Sequence, residues 1–418
     1  MNNKILLTSA LIAGTLAVTA QQNKTTYAIT GDGNKDYVWM NIRQVDLSTG
    51  QVTKSLFERS KSNFLLTDVN SKRAVDQTAT ANGDIFTSAD YPTSTFVAAA
   101  AYDKRTNKLF FTPMRMGELR WLDLNSKNET PQFYTMQTDL LKSADPADEA
   151  KNITRMVIGA DGHGYALSND GNRFIKFTTG KKPVITELGN IIDSDENNGT
   201  SIHNKCSSWG GDMIADAFGK LYVISANHNV FVIDINTRIA TYKGSIKGLP
   251  AGYTTNAAAV NDDGDIVVGS AIKFDGYYKV KLADLQAVKM EGSDVKYNAS
   301  DFANGNLLLQ KEADAANTFP MTNAALPVVN VATDAKVYPN PVTNSSFNIL
   351  FDRKKEGKYS IVVSDLAGRI LLTRVVSITK GVQTEKVNLN ANAAKGVYMV
   401  KVLDENKTIV INEKIVVQ

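Results

Sequence analysis

The chain reads as an all-β protein, a β-propeller of about six blades followed by a small C-terminal β-sandwich. Three observations predict it. From Thr25 to about Val329 the apolar residues come in short alternating runs broken by Asp, Asn and Gly, with no long stretch of helical period. Within that region a unit of turn, strand, gap and second strand recurs. From Val337 onward the strands and turns take a different spacing.

Four copies of the unit align well. Their first strands begin at Leu109, Tyr165, Leu221 and Ile266, each after an Asp-containing turn: Asp103 to Lys108, Asp161 to Gly164, Asp216 to Lys220, and Asp262 to Asp265. A second strand follows in each, as in Leu119 to Leu124 and Val230 to Ile235. Two weaker copies flank these, one at Tyr27 to Thr30 with Ile42 to Leu47, the other at Leu307 to Leu309. Successive starts from 109 to 307 are 56, 56, 45 and 41 residues apart, the length of one four-stranded blade. A small sheet cannot bury both faces alone, whereas blades packed around an axis bury each other. The step of 82 residues between Tyr27 and Leu109 is irregular, so five or seven blades also fit, as does an irregular two-sheet sandwich. If the copies are equivalent, Leu109, Tyr165, Leu221 and Ile266 occupy matching inner positions.

The bulk properties exclude several functions. Apolar residues make up 43% and charged residues 21% of 418, as in a globular protein. A net charge of +3 provides no basic track for nucleic acid. At the front, Lys4 precedes an apolar run from Ile5 to Val18 that ends in Val18-Thr19-Ala20, the pattern of a cleavable signal peptide over residues 1–20. That run is shorter than the roughly 20 residues that span a bilayer, and no later stretch is apolar enough to cross one as a helix. Cys206 is the one cysteine, so no internal disulfide forms.

The expected domains are a signal peptide at 1–20, the propeller at 21–329, a linker running from Lys311 and ending at 330–336, and a C-terminal domain at 337–418. That last domain carries motifs in a fixed order. Tyr338-Pro339-Asn340-Pro341 opens it, followed by the strand Gly357 to Val363 and the turn Asp365 to Arg369 containing Gly368. The strand Gly396 to Val402 containing Tyr398, and the end Lys414 to Val417, complete the series. Together they resemble the type A sorting domain of the type IX secretion system of Bacteroidetes. The resemblance implies that the tail directs the cargo from the periplasm across the outer membrane, and that the protein is released or held at the cell surface. It also assigns the sorting signal to Tyr338, Pro339, Asn340, Pro341, Gly368, Gly396, Tyr398 and Lys414, with the secretion machinery as partner. Without the family, the same stretch reads as a sandwich with strands near 359–364, 370–375, 385–389, 397–403 and 409–417. Its last run, Thr408 to Gln418, is suited to present an open edge.

No catalytic constellation stands out. His163, His203 and His228 are the only histidines, and none has metal-site spacing, so each reads as a turn or surface residue. Ser208 beside Trp209 lacks the motif of a nucleophile elbow. Two acidic loops could hold calcium, since hard cations want several oxygens along one tight loop: Asp32, Asn34 and Asp36, and more clearly Asp193, Asp195 and Asn197 before Gly199. The second loop has Asn198 where an EF-hand-type loop has Gly, and Asn204 where it has Glu. No other cofactor is indicated. Trp39, Trp121, Trp209, Tyr277 and Tyr278 could stack on sugars, but their strand patterns favour the core. Two functions follow: a noncatalytic module binding a glycan, peptide or envelope partner on one face of the ring, or a secreted polymer-degrading hydrolase or lyase with its site at the axis.

Overall fold

The computed structural model describes residues 25–318 and 335–417, apart from 34, 144, 292–296, 343, 344, 353, 354, 366–369, 380, 381, 390–394 and 407. The expected signal peptide at 1–20 and Gly368 of the sorting signal lie outside the described residues. The chain divides into two compact units, Met1–Thr318 and Phe319–Gln418.

In the first unit, five sheets form a ring, antiparallel except for one parallel pair at the outer edge of each of two of them. Their inner strands are Val97–Asp103, Ile153–Ile158, Asp212–Ala215, Ala257–Val260 and Ala299–Ala303, each in contact with the next and the last with the first. A separate apolar cluster fills each of the five seams between neighbouring blades. The fold is therefore a propeller, with five blades in place of about six.

The count falls because the two weak copies are one blade. Thr26–Thr30 pairs on one side with Asn41–Val45 and on the other with Ala299–Ala303, so both ends of the propeller close a single sheet, here called blade one. Leu307 to Leu309 forms no strand of its own. It leads into the helix Gln310–Thr318, which occupies the start of the expected linker. The 82-residue step hides an insertion rather than a blade: Leu65–Asp68 and Arg73–Ala74 extend the outer edge of blade two, with the short helix Thr78–Ala81 after them.

Strands starting at Leu109, Tyr165, Leu221 and Ile266 are the second strand of each blade, because the inner strands escaped the sequence pattern. Leu109, Leu221 and Ile266 point into the seam with the preceding blade, but Tyr165 points into the next. Ala166 holds the matching place, facing the seam with blade two. A shift of one residue turns a strand's side chains to the other face, and here the Phe177 ring occupies the space beside Gly164 that a Cβ would fill.

In the second unit, the sheets Ala335–Tyr338, Ser346–Asp352, Val382–Asn388 and Ile370–Ile378, Gly357–Asp365, Gly396–Leu403, Ile409–Val417 enclose one core that includes Phe347, Ile361, Val400 and Ile415. Ile409–Val417 pairs with Gly396–Leu403 along one side. Its other side is open over only part of its length. Asn340 Nδ2 donates to the Lys414 carbonyl at 2.8 Å, the Val416 N–H donates to Asn340 Oδ1 at 2.9 Å, and the Val342 N–H donates to the Val416 carbonyl at 2.7 Å.

Candidate functional site

The inner strands begin on the face where the long connections between blades lie, including residues 58–96 and 190–211. Three arginines are buried beneath these loops, one in each of blades one, two and three. Arg43 donates to the Gly31 carbonyl at 2.7 Å, pairs with Glu58 at 2.8 Å and lies 3.9 Å from the Tyr297 ring centre. Arg120 pairs with Glu118 and donates to the Ala89 and Pro92 carbonyls. Arg155 donates to the carbonyls of Gly210, Ser168, Asn169 and Ser208. A guanidinium presents five N–H groups in a rigid fork, so each arginine ties loop carbonyls to a strand. Burial pulls Arg155 down to about 10, with Asp170 and Asp212 opposing, and it stays charged at neutral pH.

Nearer the axis, Asp212 and Asp301 are both fully buried. Asp212 Oδ1 accepts the Met213 N–H at 2.7 Å, while Oδ2 accepts those of Ala258 at 2.6 Å and Phe302 at 3.2 Å. One carboxyl thus joins the inner strands of blades four, five and one. Asp301 makes no well-formed hydrogen bond, and its polar neighbours include the Asp212 carboxyl and the Ala100 N–H. Sequence reasoning missed this group: Asp212 follows Gly210-Gly211, Asp301 sits among Ala and Ser, and neither has a recognised motif around it.

The other face carries a cleft of about 530 Å³ between blades five and one. Asp46, Ser48, Asp262, Asp263, Glu291 and Asn306 supply its polar groups, and Leu47, Val288 and Met290 its apolar ones. Lys279 and Lys289 also line it, and they pair with Asp265 at 3.6 Å and Asp275 at 3.4 Å. Its volume lies in the usual range for small-ligand sites.

The residues singled out in the sequence are placed as follows. Asp193 and Asn197 come together, at 3.4 Å, but Asp193 also accepts from Ser201 Oγ and the Ile202 N–H, while Asn197 bridges Ala240 and Tyr242. Asp195 is exposed beside them in a short turn. In the other loop Asn34 lies outside the described residues, and the Arg59 guanidinium bonds both Asp32 and Asp36. Among the described residues no cluster of three His, Cys, Asp or Glu is placed to hold a metal. His163 bonds Asp161, His203 the Asp170 carbonyl and His228 the Tyr253 carbonyl, all in turns. Ser208 is buried and donates to the Ser201 carbonyl. Trp121, Tyr277 and Tyr278 are core residues. Trp39 and Trp209 are half-buried. In the tail, Tyr338, Asn340 and Lys414 are exposed on one edge, and Tyr398 is buried opposite Ile415.

Residues 336–418 match the secretion system C-terminal sorting domain family. This tail marks the protein as a type IX secretion cargo, secreted or held at the outer cell surface. No curated protein matches the chain. Among solved structures it overlaps PorZ of Porphyromonas gingivalis, a bacterial surface component of the type IX secretion system, at 13% identity and TM-score 0.31, covering 94% of this chain and 51% of that one. It therefore spans about half the length of PorZ. It also overlaps virginiamycin B lyase of Staphylococcus aureus (11% identity, TM-score 0.32, 77% and 84% covered) and an assigned 6-phosphogluconolactonase of Bacteroides uniformis (10%, 0.33, 63% and 70%). Overlaps this loose carry no function to the chain, and the propeller rests on its own sheets. Among the described residues no helix is long and apolar enough to cross a membrane.

Proposed function

We propose that the propeller is a noncatalytic surface module that binds a hydroxyl-rich glycan in the cleft between blades five and one. The observation that carries this reading is the contrast between the two candidate places. Charged groups at the axis are fully buried and bonded largely to main chain, out of a substrate's reach. The cleft instead sets carboxylates, amides and a hydroxyl around an apolar floor in which Val288 is 60% exposed. Donors and acceptors around an apolar patch suit the two kinds of surface a sugar ring presents. The test is a screen of the purified chain against polysaccharides, followed by calorimetry with the Asp262→Ala and Asp263→Ala variants. Binding that both substitutions leave unchanged places the ligand elsewhere.

A second reading, a polymer-degrading hydrolase or lyase, draws on the four carboxylates Asp46, Asp262, Asp263 and Glu291 in that same cleft, since glycoside hydrolysis needs a pair of them. Product release from a bound polysaccharide, abolished by Asp262→Asn or Glu291→Gln, separates it from simple binding.

A further inference from the structure

Two fully buried carboxyls meet near the axis of the ring, and their surroundings are unequal. Asp212 receives three main-chain N–H bonds, from its own strand and from those of blades five and one. Asp301, on the strand that closes the ring, has no well-formed bond of its own and faces Asp212. Two negative charges buried side by side repel strongly, whereas one proton between them converts the repulsion into a charge-assisted hydrogen bond. We propose that Asp212 and Asp301 share a proton and that this proton is a pH-sensitive lock on the closed ring.

The neighbouring elements bring little to compete with it. The inner strand of blade three contributes Arg155, whose own partners are loop carbonyls, with Asp170 behind it. The inner strands of blades two and five contribute Ala100 and Ala258, and Tyr102 of the former turns against Tyr27 of blade one, ring centres 4.7 Å apart. Burial pushes both carboxyls up, Asp212 to about 8 and Asp301, which also feels the Asp212 charge, well above the usual carboxylate range.

The sign follows from linkage. Unfolded carboxyls release their protons near pH 4, whereas the folded pair keeps its proton through neutrality. Stability from the pair is therefore fully present below about pH 4 and is lost as pH rises through about 8. Other carboxylates act in the opposite sense and at lower pH. Burial works against the ionised forms of Asp32, Asp103, Asp161 and Asp234, but hydrogen bonds led by Asn41, Arg105, the His163 N–H and Lys220 outweigh it and hold them low.

All three tryptophans, Trp39, Trp121 and Trp209, belong to the propeller, so their fluorescence in the full chain reads its unfolding alone. In urea titrations between pH 5 and pH 8 the folding equilibrium constant should fall by about tenfold per pH unit for each proton retained. Asp301→Asn, whose amide can donate to Asp212 without titrating, should flatten that slope and outlast the parent at pH 9. Infrared spectra of the parent at pH 7 give a readout independent of any variant: a protonated buried carboxyl band that fades above pH 8. A parent whose stability is level or rising from pH 5 to pH 8, or a missing carboxyl band, overturns the proposal.

Discussion

Leu221 faces the seam between blades three and four with no exposed surface. Leu221→Asp there buries an unpaired charge and should cost roughly 4 kcal/mol in urea unfolding followed by tryptophan fluorescence. Arg155 should be as costly to lose. Arg155→Ala orphans loop carbonyls and removes the positive charge nearest Asp212, an expected loss of about 3–5 kcal/mol by the same measurement. These two residues differ in how far the sequence announced them. Leu221 was legible because the apolar run Leu221 to Ile224 after the turn Asp216 to Lys220 has few other homes. Arg155 was not, since an arginine in a strand reads as solvent-facing until the loop carbonyls that receive it are brought around by the fold. Asp301 was hidden for the same reason, and Tyr165 was read as equivalent to Leu109, Leu221 and Ile266 because a one-residue offset leaves the local pattern unchanged.

At the level of strands, the inner ones of blades two and five went unread because they are rich in alanine. Ala98 to Ala101 and Ala257 to Ala259 lack the β-branched and aromatic residues that mark a strand in sequence. Small side chains belong there, since five strands converge on a narrow axis where larger ones have no room. In the tail, the element of interest is the contact between the Tyr338 to Pro341 segment and the terminal strand. The family resemblance identified both as sorting residues, while the bonds between them depend on a sandwich folded first. Asn340→Ala removes both of its bonds to the terminal strand, and at an exposed site this should lower the second unit's stability by about 1–2 kcal/mol, measured by urea unfolding followed by near-ultraviolet dichroism from Tyr338, Tyr359 and Tyr398. It should also expose more of the strand's outer edge, read as faster amide exchange at Val416, whose N–H loses its acceptor. Unchanged exchange in that variant would show that the clasp does not guard the edge.

For the molecule as a whole, two units with separate cores should survive separation. Limited proteolysis is expected to cut between residues 319 and 334, leaving a fragment that retains the propeller's tryptophan signal. Cleavage spread evenly through 100–300 would contradict a closed ring. Deleting Lys414 to Gln418 should trap the protein in the periplasm with the propeller folded, and normal arrival at the cell surface would refute the role of that segment in sorting. The deletion also takes four residue pairs from the last strand and the partners of Asn340, so the exported fraction of Asn340→Ala helps separate lost fold from lost signal.

Closure of blade one by Thr26–Thr30 and Ala299–Ala303 sets a clock on the protein's journey. A chain that threads a membrane from its first residue cannot complete its ring until some 270 residues later have followed. Contacts so distant along the chain form late and slowly. A propeller threaded in that order should stay unclosed until its last strand arrives beside its first.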